Sequence, residues 1–320
     1  MRIVYLDQNK WIDLARAFKK PDDHTEFHKL LQSVRTEVVA GRLVLPLTST
    51  NLYETYKVAD TERRRDLAFV QAVLSKGLVF RGRQKRLEVE VGRVVADHLK
   101  LPMPDTQDDW FLSNVFFEAT AEWEDERLGL SIPEKVVAFI RSNPVKCLYD
   151  HLVEAPDDHR LVAVQNFSRG TDRLRSTIEE RRGRNAGESL AMRRRIQGAR
   201  LLINDLDLIV GFANKMGAGW QSTADIGKEL AHRLVDDVPT YHIEREIALR
   251  IEAQSRPLEE NDFRDMASFC AVVAYADMVT GENQFVNLAR QAKLGKKYET
   301  RLETSVLALR ELLETDAIPQ

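Results

Sequence analysis

The chain opens on a short apolar run, Ile3-Val4-Tyr5-Leu6, that ends at Asp7. The run is β-branched and aromatic and too short to be a helix by itself, so Arg2–Leu6 reads as a buried strand. Helical spacing follows over Lys10–Phe18 and again over Thr25–Val39, with Gly41 as a stop signal. Apolar residues return over Arg42–Leu47, interrupted by Pro46, as a second strand. Thr48 or Ser49 can cap a helix that carries Glu54 and Tyr56. A helix over Glu62–Ser75 ends at Gly77, and Leu78–Phe80 is a third candidate strand. Short apolar strands alternating with helices imply a parallel sheet covered on both faces.

From Arg83 to Arg250 the period becomes helical and strand signals nearly vanish. Asp109–Trp123, Glu134–Ile140, Arg173–Arg182 and Ser189–Lys215 read as amphipathic helices, with breaks at Pro144 and Gly217-Ala218-Gly219. The alternation then resumes. Asp262–Tyr275 is a helix with Asp262 as N-cap, Asp277–Thr280 a short strand, and Asn283–Gln291 and Glu303–Glu314 two more helices. This predicts an α/β core made from residues 1–82 and 251–320, with residues 83–250 as a helical insertion.

Composition changes this picture little. A chain of 320 residues, 43% hydrophobic, can bury a sizeable core. Net charge is 47 − 50 = −3, so only local clustering bears on nucleic acid. Cys147 and Cys270 are far apart and unpatterned, which argues against a disulfide framework or a cysteine zinc site. Without a long apolar run or a signal peptide, a cytoplasmic protein with no membrane contact is expected. Arg169–Arg200 holds ten arginines against four acids, 10 − 4 = +6, and Arg81–Arg86 is a second basic run. Solvated helix faces are one reading. Phosphate contact through Arg181, Arg182, Arg184, Arg193, Arg194 and Arg195 is the other.

The acids are more telling. Asp7 directly follows the first strand, Glu54 lies on the helix after the second, and Asp265 is on the helix that leads to Asp277. Glu282 lies just past the last strand. In a parallel sheet, ligands gather at the carboxyl ends of the strands. Clustered carboxylates raise each other's pKa unless a cation is present, and Mg²⁺ or Mn²⁺ prefers such oxygen ligands. Each acid also has an ordinary reading. Asp7 could simply start a turn, Glu54 pair with Lys57, and Asp265 complement a helix dipole. Asp277 is set among apolar residues, so if buried it should be paired or metal-bound. His24 and His28 have helical spacing, but Thr25 stands where a metalloprotease needs glutamate.

Tyr5-Leu6-Asp7-Gln8-Asn9-Lys10-Trp11 resembles the opening of PIN-like domains, where a hydrophobic strand ends in aspartate followed by a polar residue. Leu45-Pro46-Leu47-Thr48-Ser49 and then Glu54 are similar to that family's second strand and helical glutamate. Asp265 through Ala276, with Asp277-Met278-Val279-Thr280-Gly281-Glu282-Asn283, resembles its closing segment. Glu282 stands where many members carry aspartate. The resemblance spans residues 1–80 and 255–315 and implies a three-layer α/β/α fold. It implies metal ligation by Asp7, Glu54 and Asp265, with Asp277 and Glu282 competing for the remaining acidic role and Asn9 and Thr280 orienting ligands or water. It also implies a metal-dependent endonuclease, most naturally an endoribonuclease. The alternatives are a nuclease acting on DNA and a non-catalytic binding protein on the same scaffold. Similar nucleases serve as toxins and antiphage effectors, and others mature or degrade RNA; a toxic one needs control by an inhibitory protein partner, by homo-oligomerisation or by the insertion covering the site.

Overall fold

The computed structural model describes residues 1–103, 105–120, 132–185, 187–254 and 259–314, the side chains of 159, 162–164, 166–174, 260 and 261 excepted. Its centre is a four-stranded parallel sheet in the order β2-β1-β5-β6, formed by β1 Arg2–Leu6, β2 Leu43–Val44, β5 Met278–Thr280 and β6 Arg301–Glu303. β1 pairs Ile3 with Val44 on one side and Tyr5 with Val279 on the other. Two further strands, β3 Val79–Phe80 and β4 Leu112–Ser113, pair antiparallel with each other. A parallel bridge from Leu47 to Val79 ties them to the main sheet.

The period of two along β1 divides the core. Val4 and Leu6 point into one hydrophobic cluster with Trp11, Leu14, Leu30 and Val34. Ile3 and Tyr5 point into another with Ile243, Phe263, Phe269 and Phe285. Helices α1 Gln8–Lys19, α2 Thr25–Val39 and α4 Thr61–Ser75 supply the first face. Helices α12 Pro239–Glu252, α13 Glu260–Val272 and α14 Asn283–Gln291 supply the second. Both faces are covered, so the residues of β1 after Arg2 and those of β2 are apolar in succession rather than alternately polar. The α/β reading with helical layers on either side of a parallel sheet holds.

Helices from the middle of the chain complete these layers. Within it run α5 Arg83–Leu99, α6 Glu134–Ser142, α7 Pro144–Glu154, α8 Asp157–Arg184, α9 Leu190–Asn204, α10 Leu206–Lys215 and α11 Gly227–Asp237. Leu148 and Leu152 of α7 join the first core, and Ile178 of α8 joins the second. Gly77, at φ +74°, lets α7 approach α4: a Cβ there would lie 2.5 Å from the backbone carbon of Pro144. A third cluster, built on Val91, Phe212, Leu234 and Tyr241, holds α5, α10, α11 and α12 together.

Several predicted elements change. Within Asp109–Trp123, the described residues form β4 and a 3₁₀ turn, Phe116–Ala119, instead of a helix; residues 121–123 lie outside the described residues. Phe111 stacks on Tyr275 there and Trp110 meets the same ring edge-on, so the aromatic run serves packing. Ser189–Lys215 is two helices, broken at Asp205. Residues 301–303 form β6, and the final helix, α16, covers only Leu309–Glu314. Asp262 is not the N-cap of α13: Glu259 is, and the two form a reciprocal capping box.

Candidate functional site

Asp7 and Glu282 hold equivalent places. Each occupies the N-cap position of the helix that follows one of two neighbouring parallel strands, β1 or β5. Neither side chain accepts a capping hydrogen bond. The Asp7 carboxylate has the Gln8 backbone N–H as a local hydrogen-bond donor, but it does not close the helix end as a capping residue would. The Asp7 backbone is pinned by its N–H donating to the Thr280 carbonyl at 3.0 Å. Thr48 does cap its helix, α3 Ser49–Lys57, in a box with Asn51, and thereby sets the turn that delivers Glu54. Asp265 comes from α13, which packs on α3.

These four acids, with Gln8, Asn9, Lys57 and Arg264, line one cleft of about 270 Å³ beyond the carboxyl ends of the strands. The Asn9 amide donates to Glu282 Oε1 at 3.1 Å, and Arg264 Nη1 donates to Glu54 Oε1 at 2.7 Å. Beneath the cleft, Gln8 Nε2 donates to Thr55 Oγ1 at 3.0 Å, and Gln8 Oε1 accepts from Gln71 at 3.2 Å.

The electrostatics follow from crowding. Burial, then the charge of Glu282, pushes Asp7 up to about 6. Burial pushes Glu54 up to about 7, against the pull of Arg264. Burial and the charges of Asp7, Glu282 and Glu54 push Asp265 up to about 9. Three carboxyls that resist ionisation in one cleft are short of positive charge.

The oxygen-only donor set matches what Mg²⁺ or Mn²⁺ takes. Among the described residues, however, no three His, Cys, Asp or Glu side chains stand close enough to hold an ion as they are. Ligation therefore requires side chains to turn inward. Glu54, held on Arg264, is the first of these.

Two expected members are elsewhere. Asp277 precedes β5 and is exposed; its carboxylate accepts from the Ile3 N–H at 2.6 Å. Its register opposite Ile3 sets it at the other sheet edge, about 13 Å along the strand direction from Asp7. Asp277 is thus corrected from candidate ligand to a side-chain bridge between strands. Thr280 is fully buried, and its hydroxyl donates to the Tyr5 carbonyl at 3.2 Å. Its contribution is the backbone carbonyl that holds Asp7, not a hydroxyl in the cleft.

The basic surface is corrected in part: Arg181, Arg182 and Arg194 are engaged by buried partners, whereas Arg184 and Arg195 stay exposed. Arg181 lies 2.8 Å from Glu252 in a buried ion pair, and Arg194 makes two hydrogen bonds to Glu246 at 2.9 and 3.0 Å. Arg182 donates to the Ile251 carbonyl at 2.8 Å, and Arg184 pairs with Glu180. Arg193 is half-buried, leaving Arg195 exposed. In the second run, Arg83 is clasped by Asp205 at 2.8 Å and Glu244 at 2.6 Å, and Arg81 by Glu118 at 2.9 Å. The local excess of +6 omitted acids supplied by α12, tens of residues away.

Arg264 and Gln8 were missed as site residues. Position 264, beside Asp265, was the only signal for the first; Gln8, following Asp7, had the family's polar position as its signal. No known protein family, curated protein or solved structure matches the chain.

Proposed function

We propose that the chain is a metal-dependent endonuclease with a PIN-like core, acting on RNA. The observation that carries this reading is the convergence of Asp7, Glu54, Asp265 and Glu282 on one cleft at the carboxyl edge of a parallel sheet. The four acids come from separate segments of the chain, and three of the carboxyls are held above the usual range. Asp7 and Asp265 would hold Mg²⁺ or Mn²⁺, with Glu282 oriented by Asn9 and Glu54 released from Arg264. A bound ion of this kind supplies the charge that offsets a phosphodiester and acidifies water. The Gln8–Thr55–Gln71 network keeps the base of the cleft rigid, and Arg264 balances Glu54 until the cleft is filled. Among the described residues no three such side chains are close enough to hold an ion as they stand, and this favours one second reading, a scaffold that binds without cutting.

Purified protein incubated with labelled RNA and DNA, with Mn²⁺, Mg²⁺ or EDTA, tests the proposal. Cleavage of RNA that needs the metal and disappears in Asp7→Asn is the expected result. Metal-independent cutting, or cutting by a folded Asp7→Asn variant, rejects the assignment. Binding of RNA with no cutting under any metal favours the second reading.

A further inference from the structure

A second cavity adjoins the acidic cleft. Ile12 and Val58 line both, so the two are neighbours along α1. The second is a groove of about 450 Å³ between α1 and α4, rimmed by Arg16, Lys19, Lys20 and Arg63. Its floor includes Ile12, Val58 and Leu67. We propose that this groove binds the backbone of single-stranded nucleic acid as the strand leaves the acidic cleft. The proposal rests on the nuclease reading of that cleft.

Charge is the first argument. The groove lining carries four cations and one acid, Asp66, 4 − 1 = +3, in a chain of net −3. Other acids stand nearby. Lys19 meets Glu62 at 2.5 Å and Asp66 at 2.9 Å, Arg16 meets Asp13 at 3.7 Å, and Lys20 meets Asp23 at 3.9 Å. The last two contacts are long, and the Glu62, Asp13 and Asp23 pairs are solvent-exposed on at least one side. Exposed pairs of this kind contribute little and are screened by salt, so their cations can turn to phosphate. The contrast with Arg181 and Arg194 is one of burial: their carboxylate partners are only 2% and 6% exposed.

Shape is the second argument. An apolar floor between cationic walls suits a strand whose bases are unstacked, which a duplex does not offer. The groove also runs outward along α1 from Asn9, at the cleft, to Lys20, about 16 Å at helical rise. A strand laid along it would present a phosphate to the acids and its neighbours to the rim.

The test is fluorescence anisotropy of short labelled single-stranded RNA and DNA of mixed sequence, in EDTA so that nothing is cut. Arg16→Glu combined with Arg63→Glu changes two exposed positions and leaves the core untouched. Affinity should fall about tenfold, and the slope of log affinity against log salt should drop by about 1.4, two contacts' worth. Lys228→Glu, exposed on α11, should bind as the unmodified chain does. Unchanged affinity and slope in the double variant overturns the proposal. So does failure of the unmodified chain to bind either strand at about 50 mM salt. Groove-dependent binding without metal-dependent cleavage rejects the nuclease reading and keeps the groove; cleavage with groove-independent binding does the reverse.

Discussion

Asp265 is the residue whose ionisation the fold most opposes. Its carboxyl is pushed up to about 9 by burial and by three neighbouring acids. An unfolded aspartate ionises near 4, so between these values the folded chain holds a proton that the unfolded chain has lost. Stability from this group is therefore present at low pH and falls as pH rises toward 9. His151 and His242, held down to about 4 by burial, act on the acid side and drop out above about pH 6.5, where both states are neutral. Metal-free protein should thus melt progressively lower between pH 6.5 and 8, and Asp265→Asn should flatten that slope. Thermal melts in EDTA at several pH values check this, and a steep slope retained in Asp265→Asn would refute it. Arg264 sets the companion case. Arg264→Met leaves Glu54 without its 2.7 Å cation, so the variant should melt lower at pH 8 without metal. Mn²⁺ should raise its melting temperature more than it raises that of the unmodified chain, because a ligand of the folded state stabilises it.

At the scale of elements, the sequence was most legible where local chemistry decides. Thr25–Val39 and Asn283–Gln291 are helices over the spans their periodicity predicts. The acid after β1 and the acid after β5 were legible because a strand followed at once by a helix leaves little room for a different edge. β6 was missed because Arg-Leu-Glu has a single apolar residue and owes its strand form to β5 beside it. Asp277 was misread for a related reason. Its apolar neighbours implied burial, but register puts it just before the strand begins, at the open edge. The arginine pairs were illegible because Glu246 and Glu252 reach them through tertiary packing alone. The α4–α7 contact gives a prediction at this scale. Gly77→Ala adds a Cβ against the Pro144 backbone at a positive φ, and should cost about 1–3 kcal/mol in a denaturant titration. A loss below half a kcal/mol would mean that α7 is free to shift.

For the molecule as a whole, the middle of the chain is not an appendage. Residues of α7 and α8 complete the two cores, and Ile243, Ile247 and Ile251 of α12 lie in the second. Joining residue 82 to residue 251 should therefore leave both sheet faces partly bare. The shortened protein is expected to lack a cooperative melting transition, as judged by circular dichroism. A sharp transition would show that the sheet and its remaining helices suffice. The sheet order has a consequence for biosynthesis. β1 ends at Leu6, yet its neighbour β5 begins at Met278. At roughly 5–20 residues per second, a ribosome spends tens of seconds between the two. For most of that interval, from Glu54 until Asp265 is reached, Asp7 and Glu54 exist without Asp265 or Glu282. A nascent chain that has not yet reached Asp265 thus carries only half of the acidic cleft, and the cleft cannot assemble until the ribosome has passed Glu282.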